Sequence, residues 1–284
     1  MKRYGTKSIV LAMVILGATL PSFGQQQTGA EVASAALSGL RIDVANLQEG
    51  VPTRVEDANV LPQGVWESRV SLGWGHGDRQ KWLEERTELG FGLTDKLEGT
   101  AGVIYRDNDI DATGSGDVYL KFLRPVLEST NTKSLLGVQW NFPTGKDHAR
   151  MDYSVPPYAL PVNERNDRVD TTLIAVYTKR LVPEYRERVH LEAKYTLVDS
   201  APAGFDSSRL FLGMGYDRQL GNTLRMASVW WEEGRSSCSG AASVLQLGLR
   251  HKSAPRLLWG ASLNLGLDWP AADWGLTWGA EYGL

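Results

Sequence analysis

Ionisable side chains stand at every second position in several stretches of the chain, a spacing that places them on one face of a β-strand. Two stretches show this pattern most clearly: Glu84, Arg86 and Glu88, and then His190, Glu192 and Lys194. Such a face could line a passage that sorts solutes by charge. It could also supply an acid and a base for hydrolysis, because carboxylic acids and imidazole exchange protons readily.

The same alternation assigns one set of polar side chains to the interior of a barrel, if the strands close into one. The candidates for selectivity are Glu84, Arg86, Glu88, Lys121, His190, Glu192, Lys194, Arg209, Asp217 and Arg225. Glu98, Gln246, Arg250 and Glu281 fall on the same predicted face. Both signs of charge are present. The set therefore has two interpretations, a polar network that stiffens the interior or a constriction that selects solutes by charge.

Hydrolysis would need a nucleophile, a base and an orienting group close together. Of the four histidines, His190 is the one that lies between charged residues of a predicted strand. The sequence contains no Ser-x-x-Lys, Gly-x-Ser-x-Gly or His-Glu-x-x-His motif. The single cysteine, Cys238, excludes an intramolecular disulfide and a multi-cysteine zinc site. We expect no catalytic residues, no metal and no cofactor, with an outer-membrane lipase or protease as the alternative.

The longest predicted connection, residues 145–167, also carries candidate functional side chains. They are Lys146, His148, Arg150, Tyr153 and Tyr158. Long connections in compact domains are usually functional or disordered. We predict that this loop folds over or into the mouth of the barrel and gates it, and that its tyrosines collect apolar cargo.

The elements that would position these residues begin at residue 65, where the hydrophobic period becomes two. Twelve strands are predicted, at 65–75, 83–93, 97–106, 115–126, 133–142, 168–181, 187–198, 208–220, 222–233, 242–251, 256–268 and 273–284. Strands of about 10–13 residues exceed the globular mean of about 5–6 and suit a tilted membrane crossing of about 9–11.

Long and short connections alternate along most of the chain, as they do between the external loops and periplasmic turns of membrane barrels. One face of each strand is apolar, whereas the other is rich in glycine and charged residues. A soluble sandwich would need a dry shared core and a charged exterior instead. The sequence therefore predicts an all-β fold, an antiparallel transmembrane β-barrel of about 12 strands.

The first 24 residues are predicted to be a secretory signal peptide, with three positive charges, an apolar run over 8–20 and small residues before the cleavage site. Residues 25–64 are predicted to form an N-terminal periplasmic or plug-like segment, and residues 65–284 the barrel. The formal charge is −3, and loss of the three signal-peptide bases makes it −6. That balance argues against a nucleic-acid partner.

Four stretches resemble an outer-membrane transporter family named for the meta-pathway of phenol degradation: 56–67, 88–98, 116–122 and 141–146. The resemblance covers residues 55–284. It implies a monomeric outer-membrane β-barrel for uptake of hydrophobic or aromatic compounds. The alternation through Tyr282 is similar to the signal read by the barrel assembly machinery, although Leu284 stands where such barrels commonly end in Phe.

Together these features predict a monomer in the lipid bilayer of the outer membrane. Its expected function is passive passage of small, hydrophobic or aromatic organic solutes. A barrel hydrolase and a structural barrel without transport are the alternatives.

Overall fold

The computed structural model describes residues 45–49, 51–77, 80–108, 118–142, 144, 169–182, 186–199, 206–233, 241–268, 271 and 273–284. The predicted signal peptide and Cys238 lie outside these ranges. Within them, no helix is long and apolar enough to cross a membrane.

Twelve strands in the described residues close into one antiparallel barrel. They are β1 Trp66–Gly77, β2 Gln80–Thr94, β3 Leu97–Asn108, β4 Val118–Glu128, β5 Thr132–Phe142, β6 Asp170–Val182, β7 Glu187–Leu197, β8 Ser208–Leu220, β9 Thr223–Glu232, β10 Ala242–Ala254, β11 Leu257–Gly266 and β12 Trp274–Gly283. Each strand pairs with its neighbours in the chain, and β1 pairs with β12. The predicted fold class is confirmed, and every strand boundary lies within three residues of the prediction.

The period of two separates an apolar exterior from a polar interior. Leu212, Met214 and Trp278 are among the large apolar side chains exposed on the outside. Arg69 and Lys121, by contrast, are almost completely buried inside. An apolar outer surface over polar inward faces is the arrangement of a barrel in lipid.

The two ends of the barrel differ in the connections that they carry. At one end, which we call the N/C end, β1 begins, β12 finishes and the connections between strands are short. At the opposite end, the distal end, the connections include the long one between β5 and β6. Trp74 and Trp274 pack edge to face near the distal end, with ring centroids 4.8 Å apart.

The chain that precedes β1 lies inside the barrel. We call residues 45–64 the lumenal loop, of which the structure describes all but Gly50. It starts at the N/C end, reaches its farthest point at Arg54 near the end of β9, and returns to the N/C end. There the Gly64 amide donates a hydrogen bond to the Gly92 carbonyl oxygen (2.9 Å). The two limbs are joined where the Asp57 amide donates to the Leu47 carbonyl oxygen (3.0 Å).

Candidate functional site

Acidic residues of the lumenal loop meet bases of the barrel wall. Lys121 Nζ lies 3.0 Å from both carboxylate oxygens of Glu56, whose side chain is fully buried. The Glu56 amide in turn donates to the Glu192 carboxylate (3.0 Å). One loop residue is therefore bound through both its side chain and its backbone, to strands β4 and β7.

Glu49 makes a second bridge between the loop and the wall. Its carboxylate accepts hydrogen bonds from Arg86 (3.1 Å) on β2 and Lys194 (2.7 Å) on β7. Burial alone would raise the pKa of the Glu49 carboxyl, but the nearby positive charges, Arg86 first and then Lys194, outweigh burial and hold that pKa well below its ordinary value. Glu49 is therefore ionised at neutral pH, as its two cationic partners require.

A row of hydrogen-bonded side chains on β6, β7 and β8 holds the returning limb. Arg188 binds Asp57 of the loop (2.8 Å) and also Asp217 (2.6 Å). Asp217 lies 2.8 Å from His190 Nε2, and His190 Nδ1 lies 3.0 Å from the Thr178 hydroxyl oxygen.

The order Thr178, His190, Asp217 matches that of a nucleophile, a base and an orienting acid. However, the Thr178 oxygen accepts a hydrogen bond from the Ala58 amide of the loop (2.8 Å). Within the described residues, the row therefore ends on the lumenal loop and acts as a clamp upon it.

A third group of charges supports the base of the loop. Arg69 lies 3.2 Å from Glu88 and 3.3 Å from Glu98, and Tyr119 also hydrogen-bonds Glu88. The other carboxylate oxygen of Glu98, Oε2, accepts a hydrogen bond from the Leu61 amide (2.8 Å).

The wall formed by β9, β10 and β11 holds the loop without charge pairs over most of its height. Leu47 and Val51 pack in one apolar cluster with Leu224, Met226 and Leu258. Nearer the distal end, Gln246 and Ser262 donate to the carbonyl oxygen of Pro52, at 2.8 and 3.0 Å.

Glycines in the wall make room for this loop. A Cβ atom at Gly92 would lie 1.9 Å from the Pro62 carbonyl oxygen. One at Gly260 would lie 2.8 Å from Pro52, and one at Gly213 would lie 2.7 Å from Val55. The inner surface is thus complementary to the loop in shape as well as in charge.

The structure brings most of the predicted site residues together. Glu84, Arg86, Glu88, Lys121, His190, Glu192, Lys194 and Asp217 all lie on the inner face and belong to these networks. Arg209 is half-buried on the inner face, at the distal end of β8. Their roles in selectivity stay predictions.

Arg225 is a correction. It was expected to face the lumen, but it is exposed on the outside, because Leu224 and Met226 are the inward residues of β9. It lies near the N/C end, where an outward charge costs less than at the bilayer midplane. The gating-loop candidates Lys146, His148, Arg150, Tyr153 and Tyr158 lie outside the described residues.

The sequence interpretation missed the loop acids Glu49, Glu56 and Asp57 and the wall residue Arg188. The alternation could have identified Arg188, because it is two positions before His190 on the same face. The loop acids had no such signal, because they do not lie on an alternating strand. Across the described ranges, no group of three or more metal-ligating side chains could hold a metal ion.

The loop divides the lumen into two chambers. The distal chamber has a volume of about 90 Å³, and its lining includes Arg54, Glu84, Arg86 and Trp230. The N/C-end chamber has a volume of about 680 Å³ and contains part of the returning limb, from Asn59 to Pro62.

No family model and no curated protein sequence matches the chain. The fold is similar to that of solved porins. A structure described as the KdgM porin in complex with disordered oligogalacturonate superposes with a TM-score of 0.53 at 8% identity, over 78% of this chain and 99% of that chain. A structure of the NanC porin gives a TM-score of 0.53 at 9% identity, over 76% and 100%. At these identities the similarity shows the fold.

Proposed function

We propose that the protein is an outer-membrane channel for passive passage of small organic solutes, and that the lumenal loop is its plug. The observation that carries this proposal is the fit of the loop to the inner wall. Glu49, Glu56 and Asp57 each bind a wall base. The wall glycines leave space for the loop backbone and side chains.

A removable plug is physically reasonable in a barrel of this size. Eight strands enclose an interior just filled by side chains, and sixteen or more leave an aqueous channel. Twelve strands fall between these limits, so one short loop is enough to occupy the lumen. Polar and charged wall groups released by the loop would be hydrated by entering water.

The orientation follows from the connections. Short turns of membrane barrels face the periplasm, so we place the N/C end there and the distal end outside the cell. Export by the predicted signal peptide, insertion by the barrel assembly machinery and a monomeric state belong to the same proposal, as does membership of the meta-pathway family.

The finer proposal is that the solutes are hydrophobic or aromatic. Two aromatic rings lie near the distal chamber, where Arg54 stands 4.9 Å from the ring centre of Trp230 and 5.6 Å from that of Phe211. A flat solute arriving from outside could stack on the same rings. Porin-like neighbours support passage more than catalysis, so the hydrolase alternative is not favoured.

Deleting residues 46–61 tests the plug. We expect single-channel conductance in planar bilayers to rise by on the order of tenfold, because the lumen of a twelve-strand barrel is wide enough for water once emptied. The matched control deletes residues 26–41, a segment of the same length. Both proteins are first checked for a mobility shift on SDS gels with and without boiling, which reports a folded barrel.

A second variant locks the loop without shortening it. In a Cys238→Ser background, Ala58→Cys with Thr178→Cys places two thiols on neighbouring residues, which now share a hydrogen bond from the loop amide to the wall hydroxyl. We expect oxidation to abolish channel openings and a reductant to restore them. Equal conductance in both deletions, or openings unchanged by the oxidised lock, would refute the plug.

A further inference from the structure

The N/C-end chamber has an excess of positive charge. Its ionisable lining residues are Lys133, Arg180, Arg186 and Arg188 against the single acid Glu67. The distal chamber, by comparison, is lined by two bases and two acids. The two chambers therefore present different potentials to a solute in the same lumen.

Three of these cations come from neighbouring strands and point to the interior. Lys133 on β5, Arg180 on β6 and Arg188 on β7 all lie on inward positions near the N/C end. Arg180 stands directly opposite Arg188 in the β6–β7 ladder. Like charges directly opposite each other are destabilising unless something neutralises them.

The protein neutralises these charges unevenly. Arg188 is bound by Asp57 and Asp217. Lys133 donates to the neutral amide oxygen of Asn59 (2.9 Å) and is 3.9 Å from Glu128 at the exposed rim.

The remaining two cations have no carboxylate partner among the described residues. Both Arg180 and Arg186 are exposed to the chamber opening. Glu67 is engaged elsewhere, 3.5 Å from Arg69, and Glu184 lies outside the described ranges. Within the described part of the chain, the chamber therefore has two guanidinium groups without a carboxylate partner, and such groups bind carboxylates and similar oxyanions in bidentate geometry.

We propose that this chamber binds small organic anions, molecules whose hydrophobic or aromatic body carries carboxylate or sulfonate groups, and that such anions are the solutes of the channel. The second half rests on the proposed function. The volume of about 680 Å³ lies in the range of ligand pockets, about 300–1,000 Å³. The cations face the lumen and not the outer surface, so the ligand is a dissolved molecule and not a lipid headgroup.

The test measures binding of pyranine, a fluorescent aromatic trisulfonate, to the full chain in neutral detergent by fluorescence anisotropy. The site variant is Lys133→Gln, Arg180→Gln and Arg186→Gln together. The matched control is Lys96→Gln, Lys179→Gln and Arg225→Gln, which removes the same charge from exposed positions near the same end but outside the chamber lining.

We expect the site variant to bind pyranine at least about tenfold more weakly, since two unpaired guanidinium groups are lost, and the control to bind as the wild type does. No binding by the wild type, or equal weakening in both variants, would overturn the anion site. Displacement of bound pyranine by added anionic lipid, at concentrations similar to that of pyranine, would overturn the assignment to a solute.

The outcome is independent of the plug test. Conductance that rises on loop deletion, without pyranine binding, would keep the channel and reject the anion site. Pyranine binding in a protein whose loop deletion does not conduct would keep the site and reject passage.

In the loop-deleted channel, a potassium chloride gradient gives the final check. The site substitutions are expected to shift the reversal potential away from anion selectivity, and no shift would refute anions as the solute class.

Discussion

Two sides of the lumen hold the same loop by different means. The charged side binds it through ion pairs of β2, β4 and β7 with loop acids, such as Lys121 with Glu56, and charged residues of β1, β3 and β8 support these pairs. The neutral side, formed by β9–β11, binds it mainly through apolar packing and hydrogen bonds to the loop backbone, for example from Gln246 to Pro52. Its charged contacts with the loop are few among the described residues: Arg250 donates to the Asn46 carbonyl oxygen, and Glu232 lies 3.4 Å from Arg54.

The two sides are expected to contribute differently to the position of the loop and to the free energy that holds it in the lumen. A buried ion pair gains little net free energy, because desolvation offsets the attraction, yet loss of one partner costs about 3–5 kcal/mol. Apolar burial contributes net free energy roughly in proportion to area. We therefore expect the charged side to fix the position of the loop and the neutral side to supply most of the free energy that holds it.

The largest effect is expected from Lys121→Met. Among the described residues, Glu56 would keep only Lys194, at 3.6 Å, as a cationic partner, and the closed loop should lose about 3–5 kcal/mol. Hydrogen exchange of the Glu56, Ala58 and Leu61 amides should then quicken by on the order of a hundredfold or more, at tenfold for each 1.4 kcal/mol.

The matched variant for that experiment combines Lys121→Met with Glu56→Gln. Removing both charges should recover more than half of the loss. Additive effects of the two substitutions would show that Lys121 and Glu56 are not coupled. That result would contradict the expectation that ion pairs of the charged side fix the position of the loop.

Leu47→Ala tests the neutral side. Truncation in the cluster with Leu224 and Leu258 should weaken the closed loop by about 2–3 kcal/mol, through lost burial and the cavity left behind. Hydrogen exchange of the same three loop amides measures this loss of stability. Leu220→Ala, an exposed position at the N/C end, serves as the control, and equal exchange rates in the two variants would contradict the prediction.

Gly260→Ala should have a smaller effect. The added methyl would lie 2.8 Å from Pro52, so the loop must shift, at a cost of about 1–3 kcal/mol. The control is Gly99→Ala, whose added methyl would lie 2.5 Å from the ring of Phe91 on the outer face and should leave loop exchange unchanged. Exchange that quickens for Gly99→Ala but not for Gly260→Ala would rule out the proposed fit.

The smallest effect concerns pH. The pKa of Glu49 is lower in the closed loop than in water. Its contribution to closure is therefore complete above the ordinary carboxyl pKa and is lost as the pH falls through the lowered value. The protection factor of the loop amides, the ratio of the exchange rate of the unfolded peptide to the observed rate at the same pH, should therefore fall less steeply toward acid pH in Glu49→Gln than in the wild type. The exposed control Glu85→Gln should match the wild type, and a wild-type slope in Glu49→Gln would remove Glu49 from this role.

The strands could be predicted from the sequence because a membrane barrel repeats one constraint along each strand. Residues such as His190 and Glu192 alternate with Leu191 and Ala193, and that alternation alone gives the face of each side chain. Strand β9 broke the rule at Arg225, because its inward residues Leu224 and Met226 are apolar. An apolar inward face arises there because Leu47 and Val51 of the loop cover it.

The contacts of the lumenal loop could not be predicted in the same way. Leu47, Val51, Val55, Ala58 and Leu61 are all buried. Their spacing of four, four, three and three residues matches a helix period, yet the described residues of the loop form no helix. Each pairs with a wall position far away in the chain, so its partner depends on closure of the whole barrel.

The lumenal loop begins and ends at the same end of the barrel. In topological terms it is a two-limbed loop that enters and leaves through one opening, and not a segment that passes through the barrel from end to end. It can leave the lumen and return without drawing a chain end through the pore, and without forming a knot, which folded proteins essentially avoid. Reversible opening therefore requires only that contacts break and reform, with the barrel itself intact throughout.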